Sequence, residues 1–519
     1  MNLAAAISDL TPAWEILLGQ IGLPFRRIDT GEPLPAATTP VLIATSQKNI
    51  SHKNNIIRYL RDGGTVLTDA GIAKKLLDVK TRRTRIQFLA ASEADEIFSE
   101  TPICGIALRS QVSENAAFLP NQLGQPCVSF IRIGEGAALV LPSGLISAAA
   151  GMTSKRINFP SAFSERPPSE QVCAVPRGSI RKIAERSLEY LYHFRKLPFV
   201  KKWPFPDGEA GIFGFRVDTD FCSQEQAMQL YAVCRKHGIR GTWFVETKSQ
   251  ATWMDTYKTM AEQEIGYHCY RHRVFANEAL NTEDFQEGLG IMKKAGITPK
   301  GYAAPFGEWH PGLNKLLGAF NFDYSSEFSA GYDDLPFYPI LNQTVSKFLQ
   351  IPIHPISVGR LFWARTRAEG MVKYFQTMLA EKLALQEPAI IYHHPGQKRW
   401  DLFDKVFQKA DDLKLGNIPL HQYAAWWKKR AENQPHLFFK NDKLILDDTS
   451  FDPTVWLQIS LPSGENWLNS AANAVNLLQG GKRIEKAKLL NRYDPVRLAK
   501  YTTQMLVHDI NWRIGKLKQ

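Results

Sequence analysis

The stretch 215–220, Phe-Arg-Val-Asp-Thr-Asp, limits what this chain can fold into more than any other. Ile212, Phe213 and Phe215 read as a buried strand, and a helical pattern from Ser223 to Lys236 follows, stopped by Gly238. Asp218 and Asp220 are one residue apart, so both project to the same side of an extended chain. Two carboxylates in a dry interior repel, and they need a cation, a proton or water. The chain supplies partners further on: His268 and His272, a Pro-Phe-Gly turn at 305–307, and the pair His393–His394. Histidines four apart predict one face of a helical turn. Asp220, His268 and His272 make a two-histidine, one-carboxylate set suited to a divalent metal, Zn2+ or another first-row ion such as Co2+. Such a set leaves positions open for water and substrate. Cys269, between the ligands, is a spectator thiol.

Around this stretch the pattern is α/β. Strands are predicted at 212–217, 242–245, 265–267, 302–304, 323–325, 349–353 and 389–393. Helices are predicted at 224–236, 254–263, 283–295, 313–318, 366–385, 402–413 and 421–430. About seven strand–helix units in one run predict a barrel or partial barrel rather than an open sheet, with all four motifs at or just after strand C-termini, where such barrels carry their chemistry. Residues 1–150 also alternate, with a helix at 11–22, strands at 24–28, 41–44 and 65–68, and a closing strand pair at 127–133 and 137–141. That alternation predicts a doubly wound, flavodoxin-like domain. Residues 151–206 read as a linker carrying an amphipathic helix at 179–196, whose basic face holds Arg181, Lys182, Arg186 and Arg195 and whose apolar face packs domains together. Residues 433–519 read as a small β unit that caps the barrel, with a basic helical tail from Ser470.

Two resemblances sharpen these expectations. The phrase 59–67, Tyr-Leu-Arg-Asp-Gly-Gly-Thr-Val-Leu, resembles the helix, Gly-Gly, strand passage of glutamine-amidotransferase-like domains. Cys104 is the nearest candidate nucleophile and His52 is the one histidine before His193, so a non-catalytic domain is expected. The stretch 207–432 resembles the polysaccharide deacetylases of the NodB-homology, carbohydrate esterase family 4 type, which implies a distorted (β/α) barrel. Its motifs stand here as Val217-Asp218-Thr219-Asp220, Glu264 to His272, Ala303-Ala304-Pro305-Phe306-Gly307, Phe322 to Ser326, and Ile390 to Pro395.

The resemblance implies a metal-dependent hydrolase that removes an acetyl group from an N-acetylated sugar or glycan precursor. It implies Asp220, His268 and His272 as metal ligands and Asp218 as base. The Phe306 N–H becomes an oxyanion donor, and His394, which precedes Pro395, the acid, with His393 its rival. Trp309 and Tyr324 are the aromatics expected against the sugar. The family's third-motif arginine is Ala303 here, so either another group such as Arg216 holds Asp218 or the site is silent. A silent sugar-binding relative and a hydrolase of another, cyclic amide are the alternative readings.

The net charge of +12 is spread without a dense basic tract, which argues against nucleic acid as partner, while the resemblance implies a carbohydrate. The six cysteines form no CxxC pair and fit a reducing compartment. The start lacks a basic n-region, and the most apolar window, 137–152, is broken by Pro142 and Gly144, so a cytoplasmic protein without a membrane span is expected.

Overall fold

A computed structural model describes residues 1–29, 31–447, 451–470, 476–485 and 502–517. The chain folds into two compact units. One comprises Met1–Gly151, Pro176–Gly208 and Trp427–Leu489, and the other Met152–Val175, Glu209–Trp426 and Leu490–Gln519.

In the first unit five parallel strands, Ala5–Ile7, Phe25–Arg27, Leu42–Ile43, Thr65–Asp69 and Gly136–Leu141, lie in the order second, first, third, fourth, fifth. This is a doubly wound order, in which ligands meet the carboxyl ends of the strands. Pro126–Ile133 and Phe118–Pro120 extend the sheet antiparallel. Thr11 caps helix Pro12–Ile21, and Gly22 ends it at a φ of 75°, which favours glycine. Leu42, Ile56, Leu60, Val66 and Ala138 share one buried core.

The consecutive segments read from the sequence are redistributed. Strands Ser154–Asn158 and Ser169–Cys173 form a hairpin of the second unit, tied to it by Cys173 N–H donating to Phe328 O at 2.9 Å and by Arg360 pairing with Glu170. Helix Arg177–Phe194 and strand Phe199–Lys202 belong to the first unit, where that strand pairs antiparallel with Trp456–Ser460. Residues 151–206 are thus divided between the two units, and the tail strands belong with the first unit. The basic face of the helix is not solvated either. Arg181 and Lys182 are buried, both 3.7 Å from the Glu185 carboxylate, which also lies 2.7 Å from Lys201 Nζ. Of the tail from Ser470, the described parts are strand Lys482–Arg483 and helix Thr503–Leu517; residues 471–475, 486–501 and 518–519 lie outside the described residues.

The second unit is built on eight parallel strands: Ile212–Asp218, Thr242–Glu246, Glu264–Cys269, Gly301–Tyr302, Tyr324–Ser325, Leu349–Gln350, Ala389–His393 and Gly416–Asn417. The first six are neighbours in sequence order, and the seventh lies on the other side of the first. The sheet curls until its edges approach, so that His354 N–H, just past the sixth strand, donates to Ile390 O of the seventh at 2.8 Å. The result is a curled parallel barrel with helices outside. The helix predicted at 254–263 is instead a single turn, Thr247–Gln250, followed by 3-10 turns over Ala251–Thr259. Glu246 caps that first turn early by accepting from Lys248 and Ser249 N–H.

Candidate active site

The first barrel strand sorts its residues by the twofold period of extended chain. Phe213 and Phe215 pack on Phe407 of helix Trp400–Asp412, which turns Arg216 and Asp218 to the opposite face, inside the barrel. Arg216 is fully buried and grips Asp218 with two parallel bonds, Nε to Oδ1 at 2.7 Å and Nη2 to Oδ2 at 2.6 Å. Its remaining amine donates to Ser326 O, and its plane lies between Phe244 and Tyr392 at 5.3 and 5.6 Å. The guanidinium that holds Asp218 thus comes from the same strand as the aspartate, two residues before it.

Thr219 fixes the turn between the two acids. Its N–H donates to Phe244 O at 3.1 Å, its hydroxyl accepts from Glu246 N–H at 3.0 Å, and its carbonyl accepts from Gln250 Nε2 at 2.8 Å. Asp220 emerges just past the strand end. His268 Nε2 lies 2.9 Å from its Oδ1, and His272 Nε2 lies 3.1 Å from its Oδ2. The two histidines do not share a helical turn. His268 stands in strand Glu264–Cys269 and His272 in the loop beyond it. Asp284, on helix Glu278–Lys294, shapes that loop by accepting from Tyr270 N–H at 3.1 Å and Arg271 N–H at 2.9 Å.

The donor set fits a cation by three observations. Asp220, His268 and His272 each offer one ligand atom within 4.8 Å of the others. Asp220 Oδ1, His268 Nε2 and His272 Nε2 are buried and have no hydrogen-bond partner among the described residues, an expensive arrangement unless something charged lies among them. His268 Nδ1–H donates to Ala303 O at 2.6 Å, which leaves a lone pair on Nε2, as a metal ligand requires. Burial alone would raise the Asp220 carboxyl, but His394 and His268 hold it well below the usual carboxylate range. Burial pulls His268 down and Asp220 more than reverses this. Burial also pushes Glu327, which accepts from Ala304 N–H at 3.2 Å, up to about 7.

The seventh strand ends in two histidines with opposite surroundings. His393 is buried against Phe403, with Nε2 2.8 Å from Lys398 O, and burial drives it down to about 3. His394 turns into the site, with Nε2 3.4 Å from Asp220 Oδ2. Gly359 N–H donates to Gln397 Oε1 at 3.1 Å, which directs the Gln397 amide N–H at His394 Nδ1, 3.1 Å away. The ring proton of His394 is thereby placed on Nε2.

Phe306 takes a left-handed conformation, φ 58°, unusual for a residue with a side chain, and its ring lies 4.9 Å from that of His272. Phe221, also left-handed at φ 49°, lies 5.2 Å from the same ring. Both are solvent-exposed, 47% for Phe306 and 65% for Phe221. Two expected sugar contacts are placed differently. Tyr324 is fully buried, its hydroxyl donating to Glu264 at 2.7 Å, and it packs so closely that a side chain at Gly301 would strike it. Trp309 is buried too. In the first unit, burial pushes the Cys104 thiol up to about 12, the setting of an inert cysteine.

Known proteins bear on the second unit. The polysaccharide deacetylase family model matches residues 217–325. A family 4 carbohydrate esterase from Streptomyces lividans, in complex with acetate, is 14% identical, with 40% of this chain and 93% of that one covered and a TM-score of 0.30. A CE4 family pseudoenzyme from Bacillus anthracis is 14% identical, covering 42% and 66%, with a TM-score of 0.31. A Puue allantoinase is 15% identical, covering 44% and 93%, with a TM-score of 0.37. No curated protein matches the sequence. Among the described residues no helix is long and apolar enough to cross a membrane. Over residues 217–325, then, the chain is similar to the polysaccharide deacetylases.

Proposed function

We propose that the second unit hydrolyses the acetyl group of an N-acetylated sugar or glycan precursor in a cation-dependent reaction. The observation that carries this reading is the convergence of Asp220, His268 and His272, with Asp218 held beside them by Arg216. Held by the three ligands, a divalent cation such as Zn2+ supplies polarisation of the acetyl carbonyl and acidification of a water.

The protein's own groups handle the protons. Asp218 has spare lone pairs although Arg216 engages both oxygens, and it takes the proton of the attacking water. As the C–N bond breaks, the same proton passes from Asp218 to the departing nitrogen, so acetate and a free amine leave and the carboxylate is restored. His394 offers Nε2–H as a hydrogen-bond donor. To deliver a proton itself it must first take a second one on Nδ1, where Gln397 now donates. The Phe306 N–H is the candidate donor to the oxyanion. The exposed rings of Phe221 and Phe306 offer apolar faces on which a sugar ring stacks.

The test is acetate release from acetylated monosaccharides, nucleotide sugars and oligosaccharides with added Zn2+ or Co2+. Cation-stimulated release supports the reading. A protein that binds the cation yet releases no acetate from any of them, or opens a cyclic amide instead, contradicts it.

A further inference from the structure

The first unit carries a cavity of about 940 Å3 at the carboxyl ends of its third, fourth and fifth parallel strands, reached at Thr45, Asp69 and Ser143. That is the size of a small-molecule site. Its other wall is an antiparallel ribbon, Thr81–Ile86 paired with Leu108–Ser113. Strand alternation divides the ribbon's arginines. Arg82 is bonded to Gln125 and Pro126 O, whereas Arg83 and Arg85 line the cavity with Arg109. Lys74 and Lys75 add two further cations.

These basic side chains are solvent-exposed at the cavity mouth, and two observations favour an anionic ligand there. Among the described residues the side chains of Lys74, Arg83, Arg85 and Arg109 have no carboxylate partner. Asp69 is the one carboxylate among the lining residues, and its Oδ1 accepts from Gly71 N–H, Ile72 N–H and the Ser143 hydroxyl at 2.8, 3.2 and 3.2 Å, so one acid faces five basic side chains. Independently, Arg85 and Arg109 are directly opposed across the ribbon, a like-charge pair that weakens a two-stranded ribbon unless something negative lies between. The planar guanidinium fork of arginine matches the paired oxygens of phosphate groups.

We propose that this cavity is a binding site for a small phosphorylated polyanion of the diphosphate class, either free or as part of a nucleoside diphosphate. The inference does not depend on the deacetylase reading, since every residue it uses lies in the first unit.

Calorimetric titration of the full-length protein with inorganic pyrophosphate and with uridine diphosphate tests it, alongside citrate as a phosphate-free polyanion. The expected result is saturable binding of one equivalent of pyrophosphate or the nucleotide, tighter than citrate. Arg85→Ser/Arg109→Ser should weaken it at least about tenfold, and Arg85→Lys/Arg109→Lys should retain part of it. Without ligand, the serine variant should melt no lower than the parent, because it removes a repulsion. No saturable binding of either phosphate probe overturns the proposal. So does binding unchanged in the serine variant, binding lost on adding a metal chelator, or citrate binding as tightly as pyrophosphate.

Discussion

Each unit opens the carboxyl ends of parallel strands to solvent, yet the two ends carry opposite charge. In the barrel those ends gather carboxylates and imidazoles around buried lone pairs that lack donors. In the first unit they face a ribbon whose Arg83, Arg85 and Arg109 have no carboxylate partner among the described residues. The shared architecture places a site in both, because strand ends leave backbone and side chains converging on one opening. It does not decide the chemistry. A handful of side chains sets the sign of the partner each proposal assigns: a cation in the barrel and an anion in the first unit.

The largest effect that would break this contrast concerns Asp218. Asp218→Asn should lower acetate release by about 10^2- to 10^4-fold, the range of a lost general base, while the bound cation is unchanged by elemental analysis. Equal loss of cation would mean that Asp218 is a ligand rather than a base. Next comes Arg216→Met. It leaves a buried carboxylate unpaired, and a cost of about 3–5 kcal/mol is expected, read as a lower melting temperature together with a fall in kcat. A variant as stable and active as the parent would mean that Arg216 neither stabilises Asp218 nor prepares it for catalysis.

Acid should also act on the barrel through His393. Its folded-state pKa, about 3, lies below the ordinary 6.5, so between these values the unfolded chain binds a proton that the folded one does not. Stability therefore falls as pH drops from 6.5 towards 3, by up to roughly 4–5 kcal/mol. Chemical denaturation of His393→Leu across that window should show a shallower slope. The smallest effect is at the rim. Phe221→Ala should raise KM about three- to tenfold with kcat nearly unchanged, as expected for a lost stacking face.

Much of the barrel was legible because its strands are apolar runs with acids and histidines at their ends, and the predicted strands at 212–217, 242–245 and 389–393 differ from the folded ones by a residue or less. What spacing conveyed poorly was the backbone between the histidines. Four residues fit a helical turn, but Asp284 holds 270–271 in a loop instead, and nothing local signals a carboxylate twelve or more residues on. Arg216 was visible as sharing a face with Asp218, whereas its two-bond grip needed the depth of the site. Tyr324 shows the reverse limit: an aromatic beside a motif reads as a sugar platform until Glu264 and Gly301 bury it. The interleaving of the units rests on Phe199–Lys202 finding Trp456–Ser460, a pairing across a long intervening chain that local patterns do not encode.

Zinc titration of chelator-stripped protein, followed by calorimetry, bears most directly on the central claim. One equivalent should bind to the parent and to Asp218→Asn, while Asp220→Ala and His268→Ala should each weaken that site by roughly a hundredfold or more. Zinc bound as tightly after either ligand substitution, or no stoichiometric binding by the parent, would contradict it.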